Sequence, residues 1–179
     1  IFVEDTRVSS KLLKYFNIKK NTFPFHEHNE IGTADKIIHL IKNGQTVAVL
    51  SDAGAPLISD PGYPLVQRCI KNNIPFTVIP GPSSVINSLL LSGLPTDKFL
   101  FNGFLPKKNT AKKEIVSKIK NSNVTNIFFE SAKRLESTIE IFSEVLSPKT
   151  SIAICREMTK KHETIYRGTS QEILNLFKE

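Results

Sequence analysis

TVAVLSDAGAPLISDPG, Thr46 to Gly62, is the stretch that decides the architecture. Thr46 to Leu50 is short, apolar and β-branched, the composition of a strand buried on both faces. The loop that follows, Ser51 to Pro64, is of another kind. Gly54 and Gly62 admit backbone angles closed to other residues. Pro56 and Pro61 stiffen the chain and remove donors. Asp52 and Asp60 place two carboxylates in one tight loop, and Ala53, Ala55 and Ser59 are small enough for a ligand to approach the main chain. Turns favour Gly, Pro, Asp and Ser in any case, but a loop this long and stiff beyond a buried strand is well placed to hold a ligand.

Working outward, the pattern repeats. Ile1 to Val3 is a strand candidate, Thr6 is expected to cap a helix to Phe16, and Phe23 to Phe25 is a brief extended piece. Thr33 to Lys42 reads as a helix through Ile37, Ile38 and Ile41, with Gly44 just past its end. A helix over Leu65–Lys71 and a strand over Phe76–Ile79 follow. Pro80-Gly81-Pro82 then turns into a helix from Ser83 to Leu91. Strand, loop, helix, strand, loop, helix is the order of a parallel sheet covered on both faces, whose ligands bind beyond the C-terminal strand ends. Both loops, Ser51 to Pro64 and Pro80 to Ser84, leave strands at that end. Ser83 and Ser84 open a helix with free N–H groups, which serves a plain N-cap and a ligand equally well.

The pattern breaks at Ser92-Gly93-Leu94-Pro95, which divides the chain into lobes of residues 1–95 and 96–179. In the second lobe, strands are expected at Phe99–Phe104, Ile127–Phe129, Ser151–Cys155 and Glu163–Gly168. Helices are expected at Ala111–Lys120 and Leu135–Leu146, with a last one capped by Ser170. The fold class is thus α/β in two lobes, the first with a mainly parallel sheet and the second mixed.

Composition fits a globular chain: 179 residues, 40% hydrophobic and 23% charged, with a formal charge of +7. The basic excess permits a polyanionic partner without requiring one. It lies mainly in residues 99–179, where Lys107, Lys108, Lys112 and Lys113 cluster. That cluster suits backbone phosphates, or equally a solvated helix face. Cys69 and Cys155 read as small core residues. No apolar run is long enough to span a membrane and no leader opens the sequence, so a cytoplasmic location is the expectation. No GxGxxG, GxxxxGK[ST] or GxSxG is present. His26-Glu27-His28 lacks a third ligand nearby, so no metal is expected.

Six segments occur in order: VEDTRVSSKLL (Val3 to Leu13), SDAGAPLISDPG, IPGPSS (Ile79 to Ser84), FNGFLPKK (Phe101 to Lys108), FFESAKRL (Phe128 to Leu135) and CREMTKKHE (Cys155 to Glu163). Together they resemble the bacterial ribosomal RNA 2′-O-ribose methyltransferases that modify a cytidine of the small subunit, within the tetrapyrrole methylase superfamily. Ala132 and Met158 depart from the family's usual Pro and Leu. Ile1-Phe2-Val3 reads as the middle of a strand, and the resemblance implies further chain at both ends, including an upstream loop of the cleft; the activity of this length alone is in question.

The resemblance implies S-adenosylmethionine folded between two α/β lobes, touched largely by main chain at Ala55, Ile58, Ser83, Ser84, Phe129, Cys155 and Arg156. It implies small-subunit ribosomal RNA or the assembled 30S subunit as partner, and a homodimer. Transfer of a sulfonium methyl needs chiefly alignment, plus an acceptor for the hydroxyl proton. Candidates are Glu4, Asp5, Asp52, Asp60, Glu130, Glu157 and Lys160, and the sequence does not choose. Glu130 and Arg134 also read as a structural ion pair. Arg7, Arg134 and Arg156 suit phosphate. Two other readings stay open: the same fold acting on a tetrapyrrole or diphthamide intermediate, and a non-catalytic RNA-binding chain.

Overall fold

The structure, a computed structural model, describes residues 1–178. The chain divides into two compact units, Ile1–Ser83 and Ser84–Glu179.

In the first unit the elements run β1 (Phe2–Val3), α1 (Thr6–Tyr15), β2 (Phe23–Pro24), α2 (Glu30–Lys42), β3 (Val49–Leu50) and α3 (Tyr63–Lys71). The strands form a parallel sheet in the order β2-β1-β3. Its register pairs Phe2 with Phe23 and Val49, and Val3 with Pro24 and Leu50. Phe2, Phe25, Ala34, Ile37, Ile38, Leu65 and Cys69 form the core against which this sheet and α2 and α3 pack. Burying such side chains stabilises by roughly 1.5–3 kcal/mol each. The predicted Thr6 cap is displaced by one residue: Asp5 is extended and accepts from the Arg7 N–H at 2.8 Å. A carboxylate there satisfies an orphan helix donor. Helix α2 begins at Glu30 rather than Thr33, because the chain already turns there: the Asn29 side-chain oxygen accepts from the His26 N–H at 2.9 Å. At its far end Gly44, at φ 79°, bonds back to Ile41.

Two strand expectations shrink. Only Val49–Leu50 of the Thr46–Leu50 run is a strand. The Phe76–Ile79 run forms no strand, and Val78 and Ile79 are 76% and 88% exposed.

In the second unit follow α4 (Ser84–Ser92), β4 (Phe99–Phe104), α5 (Asn109–Ile119), β5 (Thr125–Phe129), α6 (Ala132–Val145), β6 (Ser151–Arg156), β7 (Thr164–Thr169) and α7 (Ser170–Lys178). β4 pairs with β5 in parallel, and β6 with β7 antiparallel. Both directions are therefore present, unlike the purely parallel first unit. Between Phe101 and Phe104 the register shifts, with Gly103 at φ 68° absorbing the irregularity. The division between units falls at Ser83/Ser84 rather than near residue 95, since Val85 and Leu89 of α4 pack on Ile127, Phe101 and Phe129. A further cluster joins Ile139 of α6 with Ile173 and Leu174 of α7.

Candidate functional site

Because β1 and β3 are parallel neighbours in register, the residues leaving their C-terminal ends emerge side by side. Glu4 and Asp5 leave β1, and Ser51 and Asp52 leave β3. The Asp5 N–H donates to Asp52 Oδ1 at 3.3 Å. The Ser51 hydroxyl lies 3.0 Å from the Ala53 carbonyl and in close contact with Asp60 Oδ2. Four of the candidate carboxylates thus meet at one sheet edge.

Their states differ. Asp5 is held down at about 2, mainly by the side chain of Arg7, whose guanidinium bonds it at 2.6 Å. Glu4 is pushed up, first by burial and then by the like charges of Asp60, Asp52 and Asp5, opposed by the Asp52 N–H. Glu4, Phe25, Val49, Leu50, Ser51, Pro56, Asp60 and Pro61 line a recess there. It has room for about one water-sized guest, far less than a small-molecule site needs.

The loop over this corner is preset. Gly54, Leu57, Ser59 and Gly62 all have positive φ, at 78°, 71°, 63° and 136°. A non-glycine residue there is strained and persists only where its surroundings impose it. Here the Gly62 N–H donates to Glu30 Oε2 at 3.0 Å, and a Cβ on Gly62 would meet Leu57 Cδ1 at 2.8 Å. By contrast a Cβ on Gly54 or Gly81 would meet nothing within 4 Å, so the main chain is open to a guest at both corners. Ala55 is half-buried and Ile58 exposed. Ser83 is half-buried, and Ser84 opens α4, exposed.

In the second unit Phe129 ends β5, its ring packed on Phe101 and Phe104 at 4.8 and 5.3 Å. Its carbonyl accepts from the Leu105 N–H at 3.1 Å. The next residue, Glu130, is the hub of a buried network. Its side chain is 8% exposed and lies 3.5 Å from Lys112 Nζ and 2.5 Å from Arg134. It also accepts from the Ser131 N–H at 2.7 Å. Lys112 donates to the Thr138 hydroxyl at 2.7 Å, and that hydroxyl lies 2.9 Å from both Glu130 Oε2 and the Arg134 carbonyl. Arg134 also donates to the Leu105 carbonyl at 3.2 Å.

This corrects part of the phosphate-binding expectation. Lys112 is 1% exposed and spent on Glu130 and Thr138, so it cannot reach a phosphate. Arg134 bonds Glu130, Ser131 and the Leu105 carbonyl, whereas Arg7, paired with Asp5, keeps its side chain 89% exposed. Lys113 pairs with Glu144, which leaves Lys107 and Lys108 exposed. Both Glu130 oxygens are engaged, by Lys112 and Thr138 on one side and Arg134 and Ser131 on the other. Glu157 and Lys160 pair at 3.3 Å on the exposed turn beyond β6, beside exposed Arg156. Cys155 is half-buried, 3.7 Å from the Ser88 carbonyl, and burial raises its thiol pKa. Sequence reasoning missed Ser51, which bonds Ala53 and Asp60 of its own loop, and Thr138, which meets Lys112 of α5. It also missed that Lys112 shares the buried face of α5 with Val116, one helical turn away.

Comparison with known proteins follows the same outline. The family profile of tetrapyrrole (corrin/porphyrin) methylases matches residues 1–174. Ribosomal RNA small subunit methyltransferase I of Vibrio cholerae is 41% identical over all 179 residues, which make up 62% of that protein. The relative of the same name from Thermotoga maritima is 39% identical over the whole chain and 80% of its own length. The chain therefore spans less than two thirds of the Vibrio protein. The crystal structure of the methyltransferase CobJ is similar at a TM-score of 0.64 and 15% identity, covering 94% of this chain and 81% of that one, a likeness of fold. Among the described residues, no helix is long and apolar enough to cross a membrane.

Proposed function

Because the chain belongs to the tetrapyrrole methylase family, and within it to the ribosomal RNA small subunit methyltransferase I branch, we propose that it serves S-adenosylmethionine-dependent 2′-O-ribose methylation of a cytidine in small-subunit ribosomal RNA. The observation that carries this reading is the roughly 40% identity maintained across the full chain with relatives of that one name.

The residues suit the cofactor in one respect that can be checked. Main chain is unobstructed at Gly54 and Gly81, as contacts made chiefly by backbone at Ala55, Ile58, Ser83 and Ser84 require. Phe129, Cys155 and Arg156 are the proposed contacts from the second unit. When bound, S-adenosylmethionine supplies an already activated methyl group. The protein's part is then alignment and receipt of one proton.

Glu4 is the proposed acceptor. Asp5 is neutralised by Arg7, Asp60 is engaged by Ser51, Asp52 takes the Asp5 N–H, Glu130 is buried in its network and Glu157 is paired with Lys160. Glu4 lines the recess, and the upward shift of its pKa strengthens it as a base. The ribose O–H proton passes to the Glu4 carboxylate as the oxygen–methyl bond forms and the sulfur–methyl bond breaks.

The test is tritiated methyl transfer to small subunits from cells lacking the enzyme, using the chain alone and a version extended to its relatives' length. Label in 2′-O-methylcytidine is expected; none from the extended version rejects the reading. A homodimer acting on the 30S subunit in the cytoplasm is part of the proposal on resemblance alone, and sedimentation of the methylating species tests it.

A further inference from the structure

From Thr6 to Phe25 the chain holds Arg7, Lys11, Lys14, Lys19 and Lys20 and no acidic residue. Arg7 is taken by Asp5, but none of the four lysines enters an ion pair among the described residues. Helix α1 buries Ser9 and Leu13 and turns the opposite face outward. At helical spacing that face carries Val8, Lys11, Leu12 and Tyr15, the apolar three being 45%, 50% and 80% exposed. Phe16, 60% exposed, sets its ring edge-on to Tyr15 at 5.0 Å. Lys19 and Lys20 follow directly, both exposed.

A solvent-facing pair of aromatic rings fringed by uncompensated ammonium groups has a definite chemical complement. Bases stack on such rings, while the phosphates between them are drawn to the lysines. A second copy of the chain is a poor occupant, because a two-fold interface would bring these like charges face to face.

We infer that the outer face of α1, with Tyr15, Phe16, Lys11, Lys14, Lys19 and Lys20, is a docking surface for a single-stranded segment of RNA, separate from the carboxylate corner. The inference rests on the proposed function for the RNA being ribosomal; the stacking and charge arguments hold for any unpaired RNA.

The test is binding of a short fluorescein-labelled single-stranded RNA across a salt titration. Tyr15→Ala is expected to weaken binding about 10- to 100-fold, with Tyr15→Phe restoring it. The double variant Lys19→Ala/Lys20→Ala is expected to reduce the slope of log affinity against log salt by about 1.4, at ~0.7 per phosphate contact. Lys118→Ala/Lys120→Ala, elsewhere on the surface, is the control and should leave both quantities alone. Wild-type affinity in Tyr15→Ala and in the Lys19/Lys20 double variant overturns the proposal. So does a sedimentation shift from dimer to monomer in those variants with RNA binding intact, which would assign the face to a second copy. Loss of RNA binding in these variants, in a protein that methylates no ribosomal RNA, keeps this inference and rejects the function. Methylation undisturbed by them does the reverse.

Discussion

In each unit a pair of parallel neighbouring strands leads into acidic residues, and the two ends are handled in opposite ways. At β1/β3, Asp5 is taken by Arg7 and Asp60 by Ser51, while Glu4 is pushed toward its neutral form by burial and its like-charged neighbours. At β4/β5, one carboxylate, Glu130, meets two cations and is nearly sealed from water. The same topology yields a corner that keeps chemical potential for a proton and a corner that spends its charge on fixing strand ends. What separates them is which partners the neighbouring elements present: α5 and α6 supply Lys112, Arg134 and Thr138 to Glu130, while at β1/β3 the Arg7 of α1 serves Asp5 alone and the loop after β3 supplies further acids.

Cutting the sealed corner should have the largest effect. Glu130→Ala strands Lys112 without its counter-ion, and breaking a buried pair costs about 3–5 kcal/mol. Denaturant unfolding checks it, and Lys112→Met/Glu130→Gln should recover much of the loss. If Glu130→Ala is near neutral, the two corners are not different in kind. Next is the loop over the acidic corner. Gly62→Ala must place a Cβ within 2.8 Å of Leu57 at φ 136° and should destabilise by roughly 1–3 kcal/mol. A thermal melt reads this directly.

The acidic corner itself should respond with the opposite sign. Glu4 has its folded pKa above its unfolded one, so its favourable contribution is complete below the unfolded value and disappears as pH rises through the folded value. At neutral pH the ionised group opposes folding. Glu4→Gln should therefore raise the neutral-pH melting temperature slightly, while slowing methyl transfer about 10²–10⁴-fold in a version extended to the relatives' length. A lower melting temperature would show that Glu4 is held by attraction after all. Asp5 behaves in reverse. Its pKa of about 2 against an unfolded value of about 3.9 means that its contribution is present above the latter and lost as pH falls through the former. Asp5→Asn should remove a small step in acid unfolding between those limits.

The order of elements was legible because each strand and helix announces itself by local apolar spacing, as in FLFNGF or the Ile37-Ile38-Ile41 stripe. The Phe76–Ile79 run read as a strand and is not one, since strand character needs a paired neighbour and no local pattern encodes that. The candidate site was legible at the loop, where Gly, Pro and small residues carry backbone information. It was not legible at Glu4, whose company, Asp52 and Asp60, comes from far along the chain, through the pairing of Phe2 with Val49. Lys112 shows the reverse failure: inside a run of lysines it looked solvated, although its spacing to Val116 put it on the buried face.

Leu57 and Ser59 hold left-handed angles without being glycines, and Gly62 is tied to Glu30. The segment over the acidic corner has thus surrendered its freedom during folding, before any guest arrives. Association there should carry a small entropic penalty for ordering the receptor, and a calorimetric trace little changed by stiffening substitutions elsewhere in the loop. A mould that is already set also cannot adapt to a misshapen guest, so discrimination at this edge comes from fit and not from closure.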